Sequence, residues 1–377
     1  MSSPVNASKR NGRRSRVLLV AQLDGFANGV KPAAVAQFLR DQGADVEVVD
    51  TYFLSRASTH AGSPANKLPR PGLRRLAIYA VEAAGVVTRR RPFTRRRLSY
   101  YVVLADYRLR RSLLASRLPL DEFDLVVCEH PQDAGLLTAE TSARTFYDCP
   151  NPWADELYYE GRLTERQREK LRRLETSLFE HVDGLSFSWE SYARYAAKHY
   201  GISGRNLKQL NWGCTPSDQR VNFANPPRVA YIGSLSSKFI DLQLLARLSR
   251  LYPHIDVYGG PRPDPALGLN YLGWASPTVL QSYQFGLITC TKDEIRRDGF
   301  SAKHLDYISY GLPVLVPAWR RHLDLLRGSV PYEEETFVAE IEALSDESAW
   351  RAKSDEAYAQ AERLTWDKTL SPLLELL

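Results

Sequence analysis

The residues best suited to chemistry lie in one stretch near the C-terminus, residues 298–314, which read DGFSAKHLDYISYGLPV. Two aspartates, Asp298 and Asp306, stand eight positions apart with Lys303 between them. Ser301 is predicted to cap a helix that begins at the next residue, and such a helix start favours an anion such as a diphosphate. Lys303 adds a point charge for the same phosphates, and Asp306 is placed to accept hydrogen bonds from two ribose hydroxyls.

The two ends of this stretch complete the prediction. Asp298 precedes the helix, near the expected position of a sugar ring, and Gly299 is predicted to allow a close backbone approach or an unusual dihedral angle. At the other end a Gly-Leu-Pro turn leads into an apolar strand. The alternative is a capped surface helix that carries a Lys303–Asp306 ion pair three positions apart.

The elements around this stretch follow a repeated strand–turn–helix–strand order, which is typical of parallel sheets that bind ligands at the carboxyl ends of their strands. We therefore predict an α/β fold of two Rossmann-like domains whose parallel sheets face a central cleft. The first strand–turn–helix–strand motif is predicted over residues 16–21 (strand), 24–29 (glycine turn), 32–43 (helix) and 44–49 (strand). The second is predicted over residues 228–232 (strand), 233–236 (turn), 241–251 (helix) and 255–258 (strand).

The domain boundaries are predicted from composition. Residues 214–227 are polar and carry three prolines, which favours a linker. We predict a disordered basic tail (1–15), an N-terminal domain (16–214), a C-terminal domain (228–355) and a C-terminal helix (356–377).

Bulk composition bounds the class of protein. The chain has 377 residues, 44% hydrophobic and 25% charged, as expected for two globular domains. Its four cysteines are widely spaced without a CxxC pair, which indicates reduced thiols rather than disulfides or a zinc site. No apolar run approaches the roughly 20 residues of a spanning helix, and no signal peptide is expected. These features predict a cytoplasmic protein.

Positive charge is concentrated in one segment. Residues 67–117 contain 14 Lys and Arg and two acids, a balance of +12, so that the rest of a chain with net charge +6 sums to −6. Residues 76–87 are apolar apart from one glutamate, and arginine triplets follow at Arg89, Arg90, Arg91 and at Arg95, Arg96, Arg97. Such a pattern predicts an interfacial helix on anionic lipid, peripheral at the inner face of the plasma membrane, and a lipid-linked acceptor. A nucleic-acid partner is the rival, without a recognisable module to support it, and a solvated face of core helices is the structural alternative.

The C-terminal stretch resembles the donor-site signature of retaining glycosyltransferases of the GT-B fold, Glu-Gly-Phe, five residues, Glu, then Gly-x-Pro-Val. Here aspartates, Asp298 and Asp306, replace both glutamates. The family's first carboxylate contacts the donor sugar and its second holds the ribose, so the resemblance implies these roles. A related pattern, Lys-Leu-x-Glu-Tyr before Gly-x-Pro, implies that Lys303 contacts the diphosphate. The resemblance therefore implies a nucleotide-diphosphate sugar as substrate, with no cofactor and no metal. It also implies that the C-terminal domain (228–355) binds the nucleotide sugar, that the N-terminal domain (16–214) binds the acceptor, and that the helix at 356–377 returns to the N-domain.

Weaker resemblances cover most of the remaining chain. Residues 231–238 are similar to the diphosphate loop after the first strand of the C-domain, which implies roles for Gly233, Ser234 and Lys238; a solvated helix start is the alternative for Lys238. Residues 271–274 resemble the segment that reads the base, on which Trp274 would stack unless it is a core residue. In the N-domain, the resemblance implies that Gly25 lies under the donor phosphates, Lys31 faces them unless the segment is a plain turn, and His130 or Glu129 contacts the sugar.

The segment 147–153 resembles a Tyr-Asp-x-x-Asp-x-Trp pattern in which an inverting enzyme would keep its base. Asn151 stands at that position, so Asp148, Asp155 or Glu156 would have to substitute. This departure favours a retaining reaction, in which the leaving phosphate activates the acceptor. Two arginines beside the signature, Arg296 and Arg297, suggest an acidic sugar.

We therefore predict a glycosyltransferase of the hexosyltransferase type that acts in glycan or glycoconjugate biosynthesis, with His130, Lys238 and Asp298 as catalytic residues. The alternative is a non-catalytic protein on the same two-domain scaffold that binds an anion or a nucleic acid.

Overall fold

The computed structural model describes residues 13–23, 27–51, 95–202, 204–320 and 326–377. The chain divides into two compact units, residues 1–211 with 370–377, and residues 212–369. Residues 215–227, which composition assigned to a linker, thus belong to the second unit. Of the C-terminal segment that begins at residue 356, only residues from 370 onward belong to the first unit.

The first unit is built on a parallel sheet of five strands in the order β2-β1-β3-β4-β5. The strands are β1 (Arg16–Ala21), β2 (Asp45–Asp50), β3 (Leu125–Cys128), β4 (Arg144–Cys149) and β5 (Gly184–Phe187). Its helices are α1 (Ala27–Asp41), α2 (Arg95–Ala115), α3 (Trp153–Tyr159), α4 (Glu165–His181) and α5 (Glu190–Tyr200). β3 is apolar and buried throughout, and β1 is so after Arg16, as a parallel sheet covered on both faces requires.

Side-chain capping explains where α4 begins. Thr164 and Gln167 form a reciprocal capping box at the start of α4. The structure corrects one prediction: α1 begins at Ala27, within the expected glycine turn. A short 3₁₀ segment follows β3 at Ala134–Thr138. The helix α3 was not predicted.

The second unit is a parallel sheet of six strands in the order β11-β10-β9-β6-β7-β8. The strands are β6 (Val229–Ile232), β7 (Ile255–Tyr258), β8 (Asn270–Gly273), β9 (Phe285–Leu287), β10 (Val314–Pro317) and β11 (Ser329–Tyr332). The helices are α6 (Leu242–Leu251), α7 (Glu294–Asp298), α8 (Lys303–Ser309), α9 (Phe337–Glu342), α10 (Glu347–Arg363) and α11 (Trp366–Leu370). Neither β8 nor β11 was predicted.

Counted from its own first strand, the second sheet has the order 3-2-1-4-5-6 of the doubly wound Rossmann fold. The strand order therefore reverses between β6 and β9, and the rule for such sheets places a ligand crevice at the carboxyl ends of these two strands. The two strands pair only at Val229 with Phe285 and at Ala230 with Gly286. Beyond that point the sheet opens at the predicted binding edge.

The described residues contain no helix that is both long and apolar enough to cross a membrane.

Candidate functional site

The helix α8 is held over the switch point by one tyrosine. The Tyr307 hydroxyl accepts a hydrogen bond from the backbone N–H of Ile232 in β6 and donates one to the carbonyl of Leu287 in β9, both at 3.0 Å. A methyl group at Gly286 would lie 2.1 Å from the Tyr307 ring, so only glycine lets the ring lie against β9. Tyr307 thus replaces the strand pairing that β6 and β9 lose, and it fixes the first turn of α8 above the crevice.

Lys303, the first residue of α8, lies at this edge of the sheet. Its ammonium donates a hydrogen bond of 2.9 Å to the Tyr231 hydroxyl and lies 4.4 Å from the centre of the Tyr231 ring. A methyl group at Gly233 would lie 3.0 Å from both Cε and Nζ of Lys303. Because Gly233 has no side chain, the Lys303 side chain can extend across the end of β6.

The strand ends beside Lys303 are made of glycine. Gly233, Gly259 and Gly273 follow or end three adjacent strands, and their φ angles of 144°, 133° and 91° are poorly accessible to other residues. A methyl group at Gly259 would lie 1.7 Å from the carbonyl oxygen of Gly233, so the two backbones are in close contact. The edge that faces the crevice is therefore bare backbone, which suits the close approach of a phosphate.

Asp306 lies one turn after Lys303, and the two do not form the alternative ion pair. The Lys303 ammonium is bound to Tyr231 instead, and no ion pair or hydrogen bond of the Asp306 carboxylate is found among the described residues. Burial raises the pKa of Asp306 to about 6, partly offset by the charge of Lys303. A half-buried carboxylate without a protein donor can accept hydrogen bonds from ligand hydroxyls.

The start of α8 differs from the prediction at two residues. The N-cap position is Ala302, with no side-chain cap, and Ser301 contributes only its carbonyl, which accepts from the backbone N–H of His304. Gly299 has an ordinary extended conformation with φ of −71°, so it is not needed for an unusual dihedral angle. Its carbonyl accepts a hydrogen bond from Arg320. Asp298 is the buried last residue of α7.

The other residues expected around the donor are distributed along the same edge. Ser234 and Lys238 are exposed in the loop after Gly233. Trp274 directly follows β8 and is 71% exposed, which excludes a core role and leaves its ring available for stacking. Gly25 lies outside the described residues.

In the first unit, Lys31 does not face a ligand. Its ammonium is 2.7 Å from the Asp148 carboxylate and also donates to the carbonyl of Leu210 at 2.9 Å, and both charged side chains are 3% exposed. Lys31 is therefore committed to a buried ion pair. Asp148 is equally committed, which removes it as a ready substitute for the base that Asn151 replaces.

Asp155 is likewise part of the fold. Its carboxylate is fully buried and accepts hydrogen bonds from Arg168, Arg172 and Tyr200. This network ties α3 to α4 and α5 and holds the carboxylate in the interior of the first unit. Of the three proposed substitutes only Glu156 is half-buried rather than buried.

The end of β3 carries the remaining two candidates. His130 is half-buried, and its Nδ1 accepts a hydrogen bond of 3.4 Å from the backbone N–H of Gln132. Burial, and then the charge of Asp148, raise the pKa of Glu129 well above its usual range, and one of its carboxylate oxygens is buried without a hydrogen-bond partner. Glu129 is therefore the more strongly perturbed of the two.

The arginine triplets are only partly described. Arg89, Arg90 and Arg91 lie outside the described residues, as do residues 76–87. Arg95, Arg96 and Arg97 form the first turn of α2, and their side chains are not among those described. Further along α2, Arg110 is buried and paired with Asp106 and Asp133, so this part of the basic segment belongs to the core. Across the described ranges, no group of three or more His, Cys, Asp or Glu side chains is arranged to hold a metal ion.

Sequence reasoning missed two buried residues beside the signature. Arg320 follows β10 and is 4% exposed, and His304 in α8 is 1% exposed with neither ring nitrogen hydrogen-bonded. Burial, together with the nearby charge of Arg320, lowers the pKa of His304 to about 3, so the ring is neutral. No spacing in the sequence could have indicated these contacts, because Arg320 lies outside the motif.

No protein-family model matches the chain, and no curated protein is similar to it in sequence. Its fold, in contrast, is shared with solved structures. Sucrose-phosphate synthase from Thermosynechococcus elongatus has a TM-score of 0.67 at 10% identity, over 96% of this chain and 98% of that one. The apo form of the lipopolysaccharide outer core galactosyltransferase WaaB has a TM-score of 0.58 at 12% identity, over 96% and 98%.

A third similar structure carries ligands. A mutant of S. aureus TarM in complex with fondaparinux, α-GlcNAc-glycerol and UDP has a TM-score of 0.54 at 9% identity, over 72% of this chain and 58% of that one. Together with the two parallel sheets, these likenesses show the fold class: the chain has the GT-B fold of two Rossmann-like units.

Proposed function

We propose that the chain is a glycosyltransferase that transfers a sugar from a nucleotide-diphosphate sugar to an acceptor. The observation that carries the proposal is Lys303, which is held by Tyr231 above the glycine edge of β6 at the switch point of a Rossmann sheet. A fixed ammonium beside bare backbone suits a diphosphate leaving group, whose developing charge it would stabilise. The GT-B fold is consistent with this role.

Within this proposal each part of the donor has a place. The diphosphate lies against Gly233 and Lys303, with Lys238 and Ser234 in the adjoining loop. The ribose hydroxyls donate to Asp306, and the exposed Trp274 stacks on the base. Asp298 and His130 contact the sugar, as the resemblance implies. UDP is the first nucleotide to test, because the TarM complex contains it.

We propose a retaining, metal-independent transfer. The acceptor hydroxyl would attack the anomeric carbon from the side on which the diphosphate leaves. The bond between that carbon and the diphosphate oxygen breaks, and the hydroxyl proton passes to the departing phosphate. The absence of a free acid at residue 151, and the internal pairing of Asp148 and Asp155, support a route that needs no enzyme base. Lys303 supplies positive charge that a metal ion would otherwise provide.

A donor screen tests the proposal. Purified protein is incubated with nucleotide sugars of uracil, guanine and thymine and with membrane extracts as acceptor, and the released nucleoside diphosphate is measured. Lys303→Ala should reduce turnover by about 10²–10³-fold, as for loss of one main electrostatic donor. Lys353→Ala, on the surface of α10, is the matched control and should retain activity. Nucleotide binding without turnover by any acceptor would support the non-catalytic alternative instead.

The anomeric configuration of the product, read by NMR, tests the stereochemistry. Retention is expected, and inversion would require a base, for which Glu129 would then be the first candidate.

We also propose that the protein acts peripherally at the inner face of the plasma membrane on a lipid-linked acceptor. The charge of +12 on residues 67–117 supports this, with the triplets at Arg89–Arg91 and Arg95–Arg97 as the contact face. Co-sedimentation with phosphatidylglycerol vesicles should exceed that with phosphatidylcholine vesicles and should fall at high salt. Replacing the six arginines by glutamine should abolish the preference for phosphatidylglycerol vesicles. An unchanged preference would contradict the proposal.

A further inference from the structure

Two arginines near the loop 298–300 are buried without an ion-pair partner among the described residues. Arg296 in α7 is 7% exposed and Arg320 after β10 is 4% exposed, and neither takes part in any ion pair of the described residues. A guanidinium remains charged at all accessible pH values, so burial cannot be relieved by loss of a proton. An unpaired buried charge of this kind is strongly unfavourable unless something outside the chain compensates it.

Their hydrogen-bonding capacity is also unused. Nε and Nη2 of Arg296 and Nε of Arg320 are buried without an acceptor. Among the described residues, the Arg296 guanidinium contacts the Phe239 ring, whose centre is 3.3 Å away, and the Arg320 guanidinium donates to the carbonyl of Gly299. Both nitrogens of His304 beside Arg320 are unpaired as well. The cluster therefore holds several unused guanidinium donors next to a neutral imidazole whose donor and acceptor nitrogens are both unused.

The cluster adjoins the donor site. Arg320 binds the backbone of the loop 298–300. Burial raises the pKa of the Cys290 thiol, the charges of Arg320, Arg296 and Lys303 lower it, and the charge of Asp293 raises it, so these four charged groups lie near the same thiol. Asp293 accepts hydrogen bonds from the backbone N–H of Arg296 and from the hydroxyl of Thr291, and no ion pair joins it to either arginine among the described residues. Arg296 lies against Phe239 in the loop after β6, whereas Arg320 contacts the loop 298–300.

We propose that Arg296 and Arg320 bind the carboxylate of an acidic donor sugar, so that the donor is a nucleotide-linked uronic acid or a related sugar acid. The inference rests on the proposed function and names its substrate class. A guanidinium fork matches a planar carboxylate with two parallel hydrogen bonds, and one carboxylate between the two arginines would offset part of their combined positive charge. The diphosphate does not fill this role, because Lys303 and the strand-end glycines serve it.

The test compares matched donors that differ in one carboxylate. Calorimetry measures UDP-glucuronic acid against UDP-glucose, GDP-mannuronic acid against GDP-mannose, and UDP and GDP alone. The wild type should bind the acid of one pair at least about 10-fold more tightly, a difference of about 1.4 kcal/mol. Arg296→Gln and Arg320→Gln should each abolish the preference and leave the affinity for the plain diphosphate within about 2-fold. Arg351→Gln, at an exposed arginine of α10, is the control and should keep it.

The outcomes separate this inference from the proposed function. Binding of nucleotide sugars without a preference for the acid overturns the inference alone. The inference is also overturned if the variants lose as much affinity for the plain diphosphate as for the acidic nucleotide sugar, because the arginines would then bind the phosphates. Failure to bind any nucleotide or nucleotide sugar overturns both.

A stability measurement guards against misfolded variants. Because each substitution removes an uncompensated buried charge, the ligand-free variants should melt at or above the wild-type temperature. If glutamine does not fold, Arg296→Lys and Arg320→Lys keep the charge and lose the fork, and they should lose most of the preference. A lysine variant that keeps the full preference contradicts bidentate recognition.

Discussion

The two sheets treat buried positive charge in opposite ways. In the first unit the buried cations Lys31, Arg110 and Arg168 each have a carboxylate within ion-pair distance. In the second unit the buried cations Arg296 and Arg320 have none among the described residues. A paired buried charge is satisfied by the fold itself, whereas an unpaired one needs an external anion. The comparison indicates that the buried cations of the first unit are satisfied by its own carboxylates, whereas those of the second unit are not satisfied by the described residues.

The same contrast applies to the two lysines predicted to face phosphate. Lys31 is bound to Asp148, and Lys303 is bound only to the neutral hydroxyl of Tyr231. Both side chains lie near the carboxyl ends of parallel strands, so position alone does not separate them. Their partners distinguish them, because a lysine that is not paired with a carboxylate can still form an ion pair with a bound anion.

The largest expected effect is on the stability of the first unit. Lys31→Met leaves Asp148 buried and uncompensated and should cost about 3–5 kcal/mol, whereas Lys303→Met removes one hydrogen bond to a neutral group and should cost at most about 1.5 kcal/mol. Hydrogen exchange of β4 peptides for Lys31→Met and of β6 peptides for Lys303→Met, during urea titration, reports each unit separately. The double variant Lys31→Met/Asp148→Leu should recover most of the loss. Equal losses of stability in the Lys31→Met and Lys303→Met variants would contradict the contrast between the two lysines.

A second prediction concerns the space that Gly233 leaves for Lys303. Gly233→Ala places a methyl group against the lysine at a φ of 144°, and such strain costs about 1–3 kcal/mol. Donor affinity should therefore fall at least about 10-fold, measured by calorimetry. Gly268→Ala, at a φ of 66° with no atom within 4 Å, is the control for left-handed strain and should leave donor affinity unchanged. A similar loss in both variants would argue against a phosphate site at the end of β6.

The pH dependence of donor binding tests Asp306. Because burial raises its pKa to about 6, its carboxylate is ionised above that pH and becomes protonated as pH falls through it. Affinity for the nucleotide sugar should be level above about pH 7 and should weaken by up to about 10-fold per pH unit below about 5.5. A nucleotide sugar is preferred to free diphosphate, because a terminal phosphate titrates near pH 6 itself. Asp306→Asn should bind more weakly at pH 7.5 and show a flat profile; an unchanged slope would exclude Asp306 as the titrating group.

The smallest expected effect comes from the hydroxyl that positions Lys303. Tyr231→Phe keeps the ring under the ammonium and removes one hydrogen bond, which is worth about 0.5–1.5 kcal/mol. Turnover should fall about 2- to 10-fold. Tyr252→Phe, whose hydroxyl donates to the carbonyl of Pro227 away from this edge, should leave turnover unchanged. A loss as large as that of Lys303→Ala would assign Tyr231 a direct contact with the substrate.

Much of the fold followed from local patterns. The strand predicted at residues 16–21 matches the structure, because a continuous apolar run bounded by turns specifies a buried parallel strand. The strand predicted at 255–258 matches as well. The short strands β8 and β11 escaped prediction. The side chains of β8 alternate between exposed and half-buried, and β11 contains a proline, so both lack the apolar run of a central strand.

The sequence by itself determined the α/β class, the two Rossmann-like halves and the place of Lys303 and Asp306 on one helix, since these depend on neighbouring residues. Only the tertiary structure decided which charges are satisfied. The Lys31–Asp148 contact spans 117 positions and the Lys303–Tyr231 contact 72, and no local spacing reports such partners. The unpaired state of Arg296 and Arg320 is likewise a property of the packed sheet, because burial and the absence of a counter-charge arise only when distant segments meet.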